Sequence, residues 1–178
     1  QPLVNTLVIG IISSILALIS AVIWLENESR LKTKYIEMAM YLPLLLPQTG
    51  FLFGMQVLLI SLKLDGLYVT LIWAHYLFVF PYVLLSLSPT WRRWDVRYEM
   101  LGASFGFGKL KRLFRIKIPL LLLPMVASFT IGFSVSSALY LPTIFAGNGN
   151  FVTLTTEAVT LATGGSRQAA GIAALLQM

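Results

Sequence analysis

Four long stretches without a charged side chain constrain this chain more than any other feature. They cover residues 1–25, 38–62, 66–91 and 118–156. A helix needs about 20 largely apolar residues to cross the hydrocarbon core of a bilayer, so each stretch is long enough. Uniform apolarity, rather than strict alternation, favours helices over membrane β-strands. The sequence therefore predicts an all-α membrane protein built as a bundle of transmembrane helices.

The overall composition agrees with this fold class. Of the 178 residues, 57% are hydrophobic and 11% are charged, whereas a soluble domain carries about 25% charged residues. This difference argues against a water-soluble enzyme. The chain has no cysteine, which excludes disulfides and thiolate metal sites. No cluster with metal-ligand spacing stands out either, so neither a metal nor another cofactor is expected.

Four transmembrane spans are predicted, at about residues 3–25, 38–62, 67–90 and 119–140. The last one ends near Tyr140 because Pro142 and the Gly-Asn repeat at 147–150 favour a turn. A fifth apolar stretch begins near residue 168 and has about 11 residues, too few to span. We therefore expect one transmembrane domain, 1–178, that belongs to a longer protein and is cut inside its last helix.

Lysine and arginine are distributed unequally between the connecting segments. Segment 26–37 carries three of the 13 basic residues and segment 91–117 carries eight. The other connections hold only Lys63 and Arg167. Because cytoplasmic loops of membrane proteins carry the basic excess, both segments are expected in the cytoplasm. Anionic membrane lipids account for the positive charge, and no nucleic-acid partner is expected.

The connection at 92–118 is long and has an internal pattern. An apolar stripe at helical spacing comes first, at Trp94, Tyr98, Leu101 and Phe105. Glycines interrupt it at 106 and 108, and a second, basic amphipathic helix leads to Pro119, a residue suited to the first turn of a helix. The pattern leaves two interpretations open: a helix held by lipid head groups, or an element that docks on another protein.

The spacing after Gly106 narrows this choice. Ile116, Ile118 and Pro119 follow it by ten, twelve and thirteen residues. This resembles the loop motif of binding-protein-dependent ABC importer permeases of the MetI-like type: Glu-Ala-Ala, three residues, Gly, nine residues, Ile or Val, one residue, Leu or Ile, Pro. A rival alignment on Gly102, within a Leu-Gly-Ala-Ser sequence that the family also uses, brings no proline into register.

The chain departs from the motif upstream of the glycine. Tyr98-Glu99 lies where many members carry Tyr-Glu-Glu-Ala-Ala, but Met100, Leu101 and Gly102 replace Glu-Ala-Ala. Further segments, at 41–54, 75–81, 140–143 and 153–159, resemble the thiamine-permease-like and YnjC-like branch. The resemblance thus covers most of residues 38–178 and implies a multi-helix bundle with a cytoplasmic coupling-helix loop.

This resemblance implies a non-catalytic, multi-pass subunit of a bacterial inner membrane that forms the path of an ATP-driven solute importer. Its expected partners are an ABC ATPase, a second permease half, an extracytoplasmic solute-binding protein and membrane lipids. The chain lacks a glycine-rich phosphate-binding loop, so ATP hydrolysis is expected in the partner. The residues expected to couple to the ATPase are Arg97, Tyr98, Glu99, Met100, Leu101, Gly102, Ala103, Ser104, Phe105 and Gly106.

Polar residues within the predicted spans are candidates for the substrate path: Gln48, Thr49, His75 and Ser134. An ionisable side chain in a membrane is often functional, but a neutral histidine bonded to a neighbouring helix explains His75 as well. Local backbone satisfaction beside Pro47 explains Gln48 and Thr49 equally well. Ser134 belongs to a helix rich in small polar residues, which also suits helix packing.

Other residues suggest packing and anchoring roles. Gly10, Gly132 and Gly171 are expected to allow close helix contacts. Trp91 and Trp94 are interpreted as anchors at the membrane interface. Segment 153–165 fits either an external amphipathic piece that contacts the binding protein or a solvated connection.

Two other function classes compete with the importer permease. One is a secondary transporter or channel fragment with a lipid-bound cytoplasmic amphipathic loop. No acid lies within the four spans, so proton or cation coupling would lack an obvious carrier. The other is a membrane enzyme, for which the spans offer no carboxylate pair, metal cluster or Ser-His-Asp set.

Overall fold

A computed structural model describes residues 1–28, 34–164, 171, 172 and 175 of the chain. These residues form helices and connections without any strand, which confirms the all-α class. The helices are α1 Pro2–Asn27, α2 Lys34–Met40, α3 Leu42–Leu45, α4 Gln48–Ser61, α5 Tyr68–Arg92, α6 Val96–Ser104, α7 Lys109–Arg112, a π-helical turn Leu113–Lys117 (the π turn), α8 Ile118–Leu120, α9 Leu122–Ala138, α10 Leu141–Gly147 and α11 Leu154–Thr163.

The core is formed by α1, α5 and α9, which pack against one another, with α10 lying against α5 and α4. Glycines permit this proximity. A Cβ at Gly132 of α9 would lie 2.7 Å from Val83 Cγ2 of α5, and one at Gly10 of α1 would lie 2.8 Å from the Phe133 ring. The predicted close-packing role is confirmed for both. For Gly171 it stays a prediction, because most of the residues around it lie outside the described part of the chain.

Polar contacts show that α1 and α5 run in the same direction. The Arg92 guanidinium at the end of α5 donates to Glu28 just after α1, with Nη2···Oε1 at 2.6 Å and Nε···Oε2 at 3.1 Å. Lys117, just before α8, donates to Glu26 of α1 at 2.7 Å. We call this the basic end of the bundle. At the other end, Asn5 donates to the Val152 carbonyl and the Leu154 N–H donates to Thr6. The chain between α1 and α5 must therefore return along the bundle.

The returning segment is not the single helix expected over 38–62. It contains α2, α3 and α4, separated at Tyr41 and at Leu46–Pro47. Pro47 cannot donate a backbone hydrogen bond, and the residue before a proline avoids helical geometry; Leu46 is accordingly extended, with ψ of 146°. The prediction of one continuous helix is wrong for this reason.

The span expected at 119–140 also needs correction. Helix α9 begins only at Leu122, and its axis is bent by 75° relative to the preceding segment Lys109–Leu120. A straight helix would place the Pro124 ring against the Leu120 carbonyl, four residues back. Pro119 therefore lies in the short α8, before the bend, rather than in the first turn of the long helix.

The remaining expectations for spans agree with the structure to different degrees. Helices α1 and α5 are long and apolar enough to cross a membrane, and a third span results if the bent pair ending in α9 is counted as one. Helix α4 is apolar but has only 14 residues. Most of the fifth stretch, from about 168, lies outside the described residues.

Two further expectations concern residues near the ends of the bundle. Trp91 is only 3% exposed and belongs to the core, so the interface-anchor role is wrong for it. Trp94 is half-buried and its ring lies 5.2 Å from that of Tyr98. Segment 153–165 contains α11, which begins with a capping box between Thr153 and Thr156.

Candidate functional site

Helix α6 is the short helix expected at the start of the basic loop, and its ends are built locally. Asp95 caps it, since its side chain accepts a hydrogen bond from the Arg97 N–H at 2.9 Å. At the other end Gly106 has φ of +73°, a left-handed conformation that glycine adopts without strain. The Gly106 N–H donates to the Ala103 carbonyl and the Phe107 N–H to the Gly102 carbonyl, as in a Schellman motif. The predicted helix and glycine turn are thereby confirmed.

The cap gives a testable prediction. Asp95→Ala should destabilise α6 by about 1 kcal/mol, because it leaves the first-turn N–H groups without their side-chain acceptor. Hydrogen exchange of the α6 amides should then become faster, while Asp95→Asn should retain near-wild-type protection. Equal exchange in Asp95→Ala and wild type would rule out the capping role.

Most residues expected to contact an ATPase lie on the surface of α6. Arg97, Tyr98, Met100, Leu101, Ala103, Ser104, Phe105 and Gly106 are exposed, and Glu99 is half-buried. Leu101 is 58% exposed and Phe105 is 75% exposed. An exposed apolar helix face of this kind is typical of a surface that contacts a partner or a membrane.

Gly102 is the buried exception on α6. A Cβ there would lie 2.6 Å from Ile116 Cδ1 and 3.0 Å from Arg112 Cγ. The Arg112 guanidinium also donates to the Glu99 carbonyl, at 3.2 Å. Gly102 therefore lets α6 pack against α7 and the π turn, and Gly106 makes the reversal between them. The two glycines that compete in the motif alignment have different structural tasks.

Lys117 is a residue of this region that the sequence reasoning missed. It is 8% exposed, and besides Glu26 it lies 3.9 Å from a Glu99 carboxylate oxygen. Its ammonium group is 4.5 Å from the centre of a Trp91 ring and 5.9 Å from that of Trp94. In the sequence it is one of eight basic residues in its segment, and no spacing distinguishes it from the others.

A second ionic group joins three helices at the basic end. Arg92 of α5 contacts both Glu28 and Glu37, each with a nitrogen–oxygen distance of 2.6 Å. Glu37 belongs to α2, so the returning segment is attached here as well. Arg92 is substantially exposed, and exposed ion pairs contribute only about 0–1 kcal/mol each. The main effect of this ionic group is to hold the ends of α1, α2 and α5 next to one another.

His75 is 2% exposed and both of its ring nitrogens have partners. Nδ1 lies 2.8 Å from Ser136 Oγ of α9, and Nε2 lies 3.1 Å from Thr143 Oγ1 of α10. Thr143 donates its own proton to the Leu139 carbonyl, so it accepts from His75 Nε2–H. Ser136 then donates to Nδ1 and accepts from Ser13 of α1, at 3.2 Å. This chain of bonds suits a neutral imidazole and links four helices.

The other substrate-path candidates are not part of this network. Gln48 and Thr49 occupy the first turn of α4, half-buried and exposed respectively, and Ser134 is exposed on α9. Among the described residues, no side-chain hydrogen bond connects these three with His75. The structure therefore brings His75 together with Ser136, Thr143 and Ser13, and leaves the four candidates dispersed.

Comparison of the sequence with known proteins finds a similar membrane protein. No protein-family model matches the chain. All 178 residues align, at 37% identity, with the inner membrane ABC transporter permease protein YnjC of Escherichia coli strain K12. The chain spans 34% of the length of that relative. Along its whole length the chain is therefore similar to part of an inner membrane ABC transporter permease.

Proposed function

We propose that this chain forms part of the solute path of an ATP-driven importer and that α6 docks on a separate ATPase in the cytoplasm. The observation that carries the proposal is the geometry of α6. It is a capped helix that projects from the bundle, carries exposed apolar side chains and is closed by the Gly106 turn. A compact helix held in this way can enter a groove of a partner and move with it as a rigid body.

The orientation of the bundle supports this arrangement. The basic end of the bundle carries α6, α7 and the π turn. It also carries the eight lysines and arginines of segment 91–117. Such an excess of basic residues is typical of the cytoplasmic side of a membrane protein. An ATPase that uses cytoplasmic ATP would meet α6 there, while an external solute-binding protein would meet the opposite end, near α10 and α11. A second permease half would complete the path.

The decisive experiment is a charge placed on the docking face. Leu101→Asp should weaken co-purification with a co-expressed partner ATPase by about tenfold or more, because it places a charge where the proposed interface needs an apolar contact. The fold should persist, because Leu101 is 58% exposed. Quantitative pull-down from detergent, with the full-length protein, measures the effect.

Leu64→Asp is the matched control. Leu64 is 42% exposed and lies between α4 and α5, at the end of the bundle away from α6. This variant should retain the ATPase, because the membrane separates it from the proposed contact. Undiminished ATPase binding by Leu101→Asp would contradict docking through α6 and would favour the competing lipid-bound loop, for which exposed Leu110 and Phe114 among basic neighbours are suited.

A further inference from the structure

The buried ammonium group of Lys117 lies where the loop joins the bundle. A buried charge is costly unless it is paired, and Lys117 contacts an acid on each side: Glu26 at 2.7 Å and Glu99 at 3.9 Å. Glu26 belongs to α1 and Glu99 to α6. The indole of Trp91, from α5, supplies a cation–π contact at 4.5 Å. One side chain thus connects three helices.

The π turn explains why Lys117 points inward. Hydrogen bonds in a π-helix join residues five apart, so the side chains rotate relative to an α-helix, and such turns are frequent at functional sites. Lys117 is the buried residue of the π turn, whereas Arg115 two positions earlier is exposed. The 75° bend follows within a few residues.

Helix α6 is otherwise held mainly by its own loop. It packs on α7 and the π turn, and a cleft with a volume of about 900 Å³ lies between the loop and the ends of α1 and α5. Glu26, Glu99, Trp91 and Lys117 all line this cleft. Helix α6 is not embedded in the core of the bundle. A movement of α6 can therefore be transmitted to α1 only through some other contact.

We propose that Lys117 is a positioning residue that clamps α6 to α1 through Glu99 and Glu26, so that the two helices move together. This inference rests on the proposed function, because it takes the displacement of α6 to originate in the ATPase. These contacts of Lys117 hold α6 in a fixed position relative to α1. In their absence, α6 would be free to tilt over the cleft.

The test measures the distance between α6 and α1 by double electron–electron resonance. Spin labels are attached at Val96→Cys on α6 and Ile19→Cys on α1, both exposed positions, in a cysteine-free full-length protein assembled with its ATPase in nanodiscs. In the labelled protein that retains Lys117, we expect a single distance between the two spin labels. Addition of the non-hydrolysable nucleotide AMP-PNP with Mg²⁺ should leave that distance unchanged. With Lys117→Met, the ratio of clamped to displaced populations should fall by about two- to thirtyfold, the range expected for residues that modulate coupling.

Two further variants make the result specific. Lys117→Arg retains the charge and should behave like the wild type, whereas Lys109→Met removes an exposed cation from the same loop and should also leave the distance unchanged. An unaltered distance in Lys117→Met, in both nucleotide states, overturns the clamp. If the Lys117→Met protein does not assemble with its ATPase, the same distance measurement is made on Glu26→Gln, which preserves the shape of the side chain and removes only its charge. An unaltered distance in that variant overturns the clamp in the same way.

Failure of the proposed function has a different signature. If the wild-type protein does not retain the ATPase, docking is overturned. The distance distributions of the wild type and Lys117→Met, measured on the permease alone, still decide whether Lys117 holds α6 to α1.

Discussion

Replacing Gly132 with leucine should destabilise the helical bundle by about 3 kcal/mol, the upper part of the range for overpacked cores. An added Cβ would already lie 2.7 Å from Val83, 3.1 Å from Val79 and 3.3 Å from the Ser14 hydroxyl. The conflict involves α5 and α1 at once, so α9 cannot relieve it by moving away from one neighbour only. The temperature at which the detergent-solubilised protein loses its monodisperse elution peak should fall clearly.

Gly54→Leu provides the matched control for this prediction. Gly54 lies within α4, is exposed, and has no heavy atom among the described residues within 4 Å of an added Cβ. Leucine is a better helix former than glycine, so this variant should be neutral or slightly stabilising. Equal thermal stability of Gly132→Leu and Gly54→Leu would contradict the close approach of the three helices.

Replacing His75 with leucine should cost about 1–3 kcal/mol, because it leaves the buried Ser136 hydroxyl without its acceptor and Thr143 without its donor. The two residues are on α9 and α10, so the loss loosens both helices from α5. Thermal unfolding in detergent should show the decrease. Tyr76→Phe, which removes one half-buried hydrogen bond to Ser20 from the next residue of the same helix, should cost less than His75→Leu.

A combined variant separates hydrogen bonding from packing. In His75→Leu with Ser136→Ala and Thr143→Val, both partners of the imidazole become apolar, and the Ser13 hydroxyl keeps the Gly10 carbonyl as an acceptor, at 3.3 Å. Apolar replacement of a whole network is often nearly neutral. Stability should therefore recover relative to His75→Leu alone. If the destabilising effects of the three substitutions instead add up and stability does not recover, His75 contributes through its shape. The hydrogen-bond network is then not the source of its contribution.

The sequence predicts the long helices well because their boundaries are set by charge. The expected spans 3–25 and 67–90 differ by only a few residues from α1 and α5, since Glu26 and Arg92 mark where apolar runs stop. The glycine turn at Gly106 was predictable too, because few residues other than glycine adopt positive φ at a helix end.

The interruptions were harder to predict, although their signals were present. Pro43, Pro47 and Pro124 lie inside runs that are long enough to span when only length and apolarity are considered. The helices are interrupted near each of these prolines, which remove a backbone hydrogen bond and crowd the carbonyl four residues back. Helix α5 nevertheless continues through Pro81 and Pro89, so a proline alone does not fix where a helix ends.

The candidate site depends on contacts that no local pattern encodes. His75 meets partners 61 and 68 residues away along the chain, and Lys117 meets Glu26 across 91 residues. These pairs form only when the helices adopt their packing. The inward orientation of Lys117 also requires the π turn, for which the sequence carries no distinctive signature. Helix positions can thus be read from composition, but the residues that connect them cannot.

The common direction of α1 and α5 has an electrostatic consequence. The aligned peptide dipoles of a helix place the equivalent of about half a negative charge at its C-terminal end. Because both helices finish at the same end, their macrodipoles add instead of cancelling there. Arg92 and Lys117 lie at that point, so their cations offset the accumulated partial charge as well as the nearby carboxylates. The lysines and arginines that orient a membrane protein thereby also allow two neighbouring helices to lie side by side without mutual repulsion of their termini.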